Sequence, residues 1–316
     1  MGLYILVNSR VRRDCHLTVS AMMRFELGDG TTIPAVGFGT FQIPEPEAEE
    51  PVALALSAGY RHIDTAEMYA NSAAIGRAIK SSGVTREDLF ITTKVSSSST
   101  FEDTISFCEQ ALQQLGVTQV DLVLVHTPFG GKDVRLAKYR GLVEAQRRGL
   151  TRSIGVSNFG VTHIEELIAE GLPTPAANQL ELHPLNQKRD LLEYMRAKKI
   201  LPIAYSSLAP LSTWREGYAS YGGSKAVDAT ATVESPISTM AARIGVSEAR
   251  LMLRYALQKG WPILPKSVRD DRIRSNFDVN SVVIPDDGMK ILDAMDSDAA
   301  FAFGNKEHPV DPCKAD

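Results

Sequence analysis

Arg61-His62-Ile63-Asp64-Thr65-Ala66-Glu67-Met68-Tyr69 begins as a short apolar run and passes straight into a loop. It leaves a carboxylate, Asp64, and a phenol, Tyr69, near the end of a strand. The next two strand-like runs also end in polar groups: "LFITTK" in Lys94 and "VDLVLVH" in His126. Asp, Tyr, Lys and His at the ends of three consecutive strands form a candidate proton-transfer site.

Outward from this stretch, strands and helices alternate. Strands are expected over 36–41, 61–64, 89–94, 120–126, 151–156, 176–181, 201–206 and 262–266. Helices are expected near 47–58, 71–81, 101–115, 134–148, 161–170, 188–198 and 247–258. "SGVTREDLF" and "RGLTRSIGV" carry glycine where a helix must stop before a strand. Eight βα units of this length predict an α/β (β/α)8 TIM barrel. A doubly wound open sheet would carry a Gly-rich turn after its first strand, and no GxGxxG follows any strand here. Ahead of the barrel, Gly28-Asp29-Gly30 between alternating runs predicts a hairpin able to close the barrel bottom. Residues 1–23 are expected to be a disordered extension, although their Arg-rich, acid-poor character also suits a targeting segment. Two stretches interrupt the alternation: a polar, aromatic-bearing loop over 208–235 and a non-helical tail over 299–316. Residues 24–316 are expected to form one domain.

The chain has 316 residues, 44% of them hydrophobic, and a formal net charge of −4. That balance argues against broad binding of nucleic acid or anionic membrane, while leaving room for a local basic pocket. Cys15, Cys108 and Cys313 are odd in number and widely spaced, which suggests neither a disulfide framework nor a metal site. A reducing, cytoplasmic compartment is expected, with a small-molecule partner and a monomer or weak dimer. No apolar run approaches the roughly 20 residues of a membrane span.

Asp64-x4-Tyr69, Lys94 in "ITTK" and His126 in "VDLVLVH" resemble the aldo-keto reductases. The resemblance continues through "GVSNF" (155–159), "NQLELHP" (178–184), "AYSSL" (204–208) and "LPKS" (264–267) with Arg272 and Asn276, and spans roughly Phe25 to Asp298. Each motif alone is common; their joint order is specific. The family implies NADPH-dependent reduction of a ketone or aldehyde.

The residues can be read toward the same chemistry. A carbonyl oxygen that receives a hydride's charge needs a proton. A phenol with an ordinary pKa of about 10 is a poor donor unaided. An adjacent ammonium favours phenolate, a carboxylate keeps the ammonium charged, and an imidazole can hydrogen-bond the carbonyl. Tyr69 is thus expected as acid/base, Lys94 as its tuner, Asp64 as the lysine's partner and His126 as the carbonyl orienter. The resemblance implies the same roles. It further implies that Ser157, Asn158 and Gln179 meet the nicotinamide carboxamide and that Tyr205 stacks on the ring. Ser206 and Leu208 would follow the pyrophosphate, while Gly39, Thr40 and Asp64 border the cofactor. Lys266, Ser267 and Arg272 would hold the 2′-phosphate of NADP(H), with Asn276 at the adenine and Val268 also among the cofactor-binding residues. Cations beside exposed helix N–H groups suit a phosphate monoester. Phe41, Thr127 and Trp214 are expected to line the substrate pocket.

One departure stands out. Most relatives follow the histidine with Trp-Pro, whereas this chain has His126-Thr127-Pro128-Phe129. That run is closer to the "HSPF" of fungal ketoreductases acting on conjugated polyketones and dehydropantoyl lactone. Two other readings stay open: a barrel lyase using Lys94 as a Schiff-base amine, and a non-catalytic NADPH-binding partner protein. The lyase does not account for Lys266 and Arg272, and the intact quartet disfavours the non-catalytic partner.

Overall fold

The computed structural model describes residues 23–96, 100–211, 235–302 and 310. The N-terminal extension, Cys15, Cys313, Trp214, most of the 208–235 loop and most of the 299–316 tail therefore lie outside the described residues.

The hairpin forms as expected. Strands β1 (Arg24–Glu26) and β2 (Thr32–Pro34) pair antiparallel. Asp29 Oδ1 accepts from the Thr31 N–H, and Gly30 takes a φ of 86°, which suits a residue without Cβ. Leu27 and Ile33 of this hairpin join the apolar cluster that contains Phe90, Leu122, Leu124, Ala177, Ile203 and Leu264. The hairpin thus plugs one end of a barrel.

The barrel is a parallel sheet in sequential order. Its strands are β3 (Phe38–Gly39), β4 (His62–Asp64), β5 (Phe90–Val95), β6 (Val120–Val125), β7 (Thr151–Ser157), β8 (Ala177–Glu181) and β9 (Leu201–Tyr205). The expected strand over 262–266 is present only as bridges from Ile263 to Val36 and to Ala204. Pro262 and Pro265 explain this, since each lacks the N–H a regular ladder needs. The closing bonds use what remains: Ile263 N donates to Ala35 O, Gly37 N to Ile263 O and Ala204 N to Pro262 O.

Among the described residues ten α-helices surround the sheet. α1 (Glu45–Ala58), α2 (Ser72–Ser82), α3 (Phe101–Leu115), α4 (Gly131–Arg147), α5 (Val161–Ala169), α6 (Arg189–Ala197) and α8 (Glu248–Gln258) match the expected positions to within a few residues. Left-handed Gly59, Gly83 and Gly116 end the first three. α7 (Pro236–Ile244) and α10 (Asp286–Asp293) were not expected, nor was the extent of α9 (Asp270–Phe277). α7 had a signal: Ser235 caps it and Pro236 opens it. Among the described residues no helix is long and apolar enough to cross a membrane.

Register carries the fold toward the site. Side chains of a strand alternate between its faces. Phe90, Leu122 and Leu124 belong to the interior cluster, whereas Ile63, Ile91, Val123 and Val125 pack in the larger cluster shared with the helices. Lys94 is paired with Leu124, Asp64 with Thr92, Leu124 with Gly155 and Ser157 with Gln179. The period of two therefore sends Asp64, Lys94, Ser157, Gln179 and Tyr205 inward.

Gly155 sits where two strands crowd: a Cβ there would lie 2.6 Å from the Ala177 carbonyl oxygen and 2.9 Å from Leu124 Cδ2. Gly155→Ala should destabilise the barrel by about 1–3 kcal/mol. Urea unfolding should show a lower midpoint at constant slope; an unchanged midpoint would mean that the β7–β8 spacing is not tight.

Candidate active site

Asp64 ends β4, and the chain then forms a 3-10 turn over Glu67–Tyr69. Thr40 holds this junction from the neighbouring loop, its N–H and hydroxyl both donating to Asp64 O. Asn71, fully buried, donates to Thr40 O and Ile43 O and accepts from the Thr65 hydroxyl. The loop that carries Tyr69 is thereby tied to the loop that carries Phe41.

Lys94 has no exposed surface. Its ammonium donates to Asp64 Oδ1 at 2.5 Å and Thr65 O at 3.0 Å, and reaches the Tyr69 hydroxyl at 3.5 Å. Burial alone would lower the Lys94 pKa, but the Asp64 carboxylate and Tyr69 outweigh it and hold it above its usual value. For Tyr69 the balance runs the other way from the sequence expectation. Burial raises the phenol above its ordinary value, and the opposing pull of Lys94 does not overcome it. Desolvating an anion on the phenol costs more than one nearby ammonium returns.

His126 follows β6, with its ring edge-on to Tyr69 at 5.7 Å between centroids. Phe41 lies 5.1 Å from the Tyr69 ring and is 44% exposed, so it forms an open wall beside the phenol. Thr127 is half-buried next to His126. Burial, then Lys94 and Lys138, push the His126 pKa down to about 3, so the ring is neutral at ordinary pH.

The other side of the barrel mouth is one connected network. Gln179 Nε2 donates to Asp64 Oδ2 at 2.8 Å. The Ser157 hydroxyl donates to Gln179 O and accepts from Asn158 Nδ2, which also donates to His126 O. The Tyr205 hydroxyl donates to Asn158 Oδ1 at 2.7 Å. Asn158 and Ser206 both have positive φ, 63° and 54°, an unusual conformation for residues with side chains, at the loop starts after β7 and β9. Leu208 is half-buried beyond them.

Lys266 and Ser267 follow the eighth barrel segment, and Arg269 precedes α9. Arg269 is taken up by Asp271, and Arg274 by Asp270. Among the described residues Lys266 makes no ion pair, Arg272 interacts electrostatically with the neighbouring Asp271, and desolvation lowers the Lys266 pKa. Ser267 is buried and its hydroxyl accepts from the Arg269 N–H. Val268 is half exposed, and Asn276 is buried on the same helix as Arg272. The predicted residues thus fall into two groups: the quartet with Ser157, Asn158, Gln179 and Tyr205 around the mouth, and the cationic group on the loop into α9.

A family model for the aldo/keto reductases matches residues 35–297, which contain both groups. The chain belongs to the aldo/keto reductase family. It is 37% identical over 276 residues to an aldo-keto reductase of Mycolicibacterium vanbaalenii, covering 87% of this chain and 92% of that relative. It is 36% identical over 254 residues to methylglyoxal reductase DkgA of Escherichia coli, covering 80% of this chain and 86% of that one. A solved Bombyx mori aldo-keto reductase in complex with NADP superimposes with a TM-score of 0.79 at 28% identity, covering 88% of this chain and 94% of the other.

In this aldo/keto reductase, hydrogen bonds also join to the candidate site residues that the sequence did not single out: Thr65, Glu67, Asn71, Ser96 and Lys138. Only Glu67 and Thr65 had a local signal, lying inside the Asp64–Tyr69 stretch. The others act through contacts 28 to 42 residues away in the chain, such as Lys138 Nζ to Ser96 O. Among the described residues no group of His, Cys, Asp and Glu could hold a metal ion.

His62 is fully buried, whereas His126 is only partly buried, and the His62 pKa is also pushed down to about 3, by burial and by Lys94. Both bind a proton less readily folded than unfolded, where the value is near 6.5. Their contribution to stability is therefore complete above 6.5 and is lost as pH falls from there toward 3. The imidazole proton resonances of both should stay fixed between about pH 8 and 5 while the melting temperature declines. Titration of His126 near its ordinary value would contradict a neutral, desolvated ring.

Proposed function

We propose that this chain reduces a ketone or aldehyde to an alcohol with NADP(H), Tyr69 supplying the proton. The observation that carries it is a buried ammonium, Lys94, held between the carboxylate of Asp64 and the hydroxyl of Tyr69, with the neutral ring of His126 against that phenol.

The cofactor reading has its own support. Lys266 is exposed and has no counter-charge among the described residues, and Arg272 stands six residues further along the chain. A phosphate monoester would satisfy both through charge-assisted hydrogen bonds. The Bombyx mori structure is described as a complex with NADP, consistent with that fit. When bound there, the cofactor would supply the hydride for the carbonyl carbon. Ser157, Asn158, Gln179 and Tyr205 would hold the nicotinamide end, Gly39 and Thr40 would border the cofactor, Ser206 and Leu208 would follow the pyrophosphate, and Val268 and Asn276 would line the adenosine end.

The residues then act on the oxygen. His126 donates a hydrogen bond to the carbonyl and orients it. As negative charge develops there, the phenolic proton of Tyr69 passes to the oxygen. A phenol raised above its ordinary pKa keeps its proton until that moment. Lys94 stabilises the phenolate that is left, which recovers its proton from solvent. A Schiff-base role for Lys94 is disfavoured by the same geometry, because an amine nucleophile must be neutral and Asp64 holds this one charged.

For substrate class we assign vicinal dicarbonyls. Thr127 in place of a bulky aromatic leaves room beside the reacting carbonyl, and the His-Thr-Pro-Phe run is close to that of the fungal conjugated-polyketone and dehydropantoyl-lactone ketoreductases. A 36%-identical relative is named for methylglyoxal, itself a 2-oxoaldehyde. A panel of simple and vicinal carbonyls, followed by loss of NADPH absorbance, tests the reading directly; equal or absent turnover on the dicarbonyls would remove the assignment.

Tyr69→Phe keeps the ring and removes the hydroxyl. Turnover should fall by roughly 10²–10⁴-fold, the share of a positioned general acid, with NADPH binding retained. Near-normal turnover would move the proton source to another group. Arg272→Ala should weaken NADPH by about 1.5–3 kcal/mol, the worth of one charged hydrogen bond, and leave NADH unaffected. Equal losses for the two cofactors, read by fluorescence titration, would show that Arg272 does not meet the 2′-phosphate.

A further inference from the structure

We propose that Ser96 is a positioning residue that holds the ring proton of His126 on Nε2, the nitrogen that faces substrate; this rests on the carbonyl-reductase reading above. Ser96 directly follows β5, and its hydroxyl lies 2.7 Å from His126 Nδ1.

Both ends of that contact are fastened through the backbone. The Ser96 N–H donates to Glu67 Oε2 at 2.7 Å, from the 3-10 turn that carries Tyr69. The Ser96 carbonyl accepts from the ammonium of Lys138 on α4, a lysine only 5% exposed. His126 donates its own N–H to Val95 O and accepts from Asn158 Nδ2 at its carbonyl. The serine cannot drift from the imidazole without breaking bonds to two other elements.

The chemistry follows from counting protons. A neutral imidazole has one N–H. A hydrogen bond from His126 to a carbonyl oxygen requires that hydrogen on Nε2. With the hydrogen on Nδ1 instead, Nε2 would turn a lone pair toward the lone pairs of the substrate oxygen. Ser96 has one hydroxyl hydrogen, and among the described residues its Oγ has no partner besides Nδ1. Donation from Ser96 to Nδ1 satisfies both groups and leaves the proton on Nε2. Nε2 itself has no partner among the described residues. The ring is held neutral by burial and by the ammonium groups of Lys94 and Lys138, so the tautomer, rather than the charge, is what remains to be set.

The test uses full-length protein labelled with ¹⁵N-histidine, with the His126 signals assigned by their loss in His126→Gln. Long-range ¹H–¹⁵N spectra report which nitrogen carries the proton. The wild type should show the Nε2–H form at His126. Ser96→Ala should shift that ring toward a tautomer mixture. It should also lower kcat by about 3- to 10-fold, the size of one neutral hydrogen bond, without moving NADPH affinity. Ser96→Thr, which keeps the hydroxyl, should restore both. The proposal is overturned by an Nδ1–H ring in the wild type. It is overturned equally if Ser96→Ala lowers kcat with the tautomer unchanged, which would make Ser96 a structural residue only. If no carbonyl were reduced, the spectra would still report the tautomer, separating failure of this assignment from failure of the reductase reading.

Discussion

A lysine ammonium with no exposed surface, set against a buried aspartate, is the constraint around which this barrel's mouth is arranged. A charge in that position is tolerated only if its donors are occupied. Lys94 uses Asp64 Oδ1, the Thr65 carbonyl and the Tyr69 hydroxyl. Asp64 in turn uses its second oxygen to accept from Gln179, on a strand across the mouth. Removing one partner of such a pair typically costs about 3–5 kcal/mol because a bare charge stays behind. The site and the stability of the barrel's upper layer are therefore the same set of bonds. The pair also separates the protonation states usefully: the lysine stays charged, the phenol stays protonated and the histidine stays neutral.

The rest of the mouth is tied to this pair in a ring. Asn71 and Thr40 join the first two strand-end loops; Glu67 and Ser96 join the second to the third; Ser96 and His126 join the third to the fourth. Asn158 links His126 to Tyr205. Each loop is thus held by a neighbour as well as by its own strand. Pre-organised dipoles cost no reorganisation when charge develops on a substrate oxygen, which is what a site acting by hydrogen bonding and proton transfer requires. Helix α4 reinforces this from outside: Arg135, 1% exposed, makes a two-pronged pair with Glu166 and donates to Pro128 O, while Lys138 reaches Ser96 O.

A second buried acid does related work at the C-terminal side. Glu181 lies against His183 and accepts from the N–H groups of Phe301 and Ala302. Burial alone would raise its pKa, but these donors outweigh that and hold it below its usual value. The tail is thereby seated on the barrel at the end of β8, by a carboxylate within the "NQLELHP" motif.

The chain's alternation of strands and helices, its hairpin, its quartet and its cationic loop into α9 were legible from residue order alone. Period, glycine stops and strand-end polar groups are local properties, and local properties survive in a sequence. The eighth strand was legible in position but not in form, because whether Pro262 and Pro265 leave a ladder or a single bridge depends on what lies on either side. α7 was announced by Ser235-Pro236, but its place beyond a long loop gave no periodic context. The sign of the Tyr69 shift was not legible: a lysine nearby lowers a phenol's pKa, and only the packed structure shows that desolvation exceeds it. Ser96, Asn71 and Lys138 were invisible for the same reason. Nothing in their neighbourhood distinguishes them from solvated polar residues until the barrel closes and brings them to His126, Thr40 and Ser96. Residue types and their order determined the family of chemistry; the register of parallel strands, which sends every second side chain into one shared space, decided which groups meet.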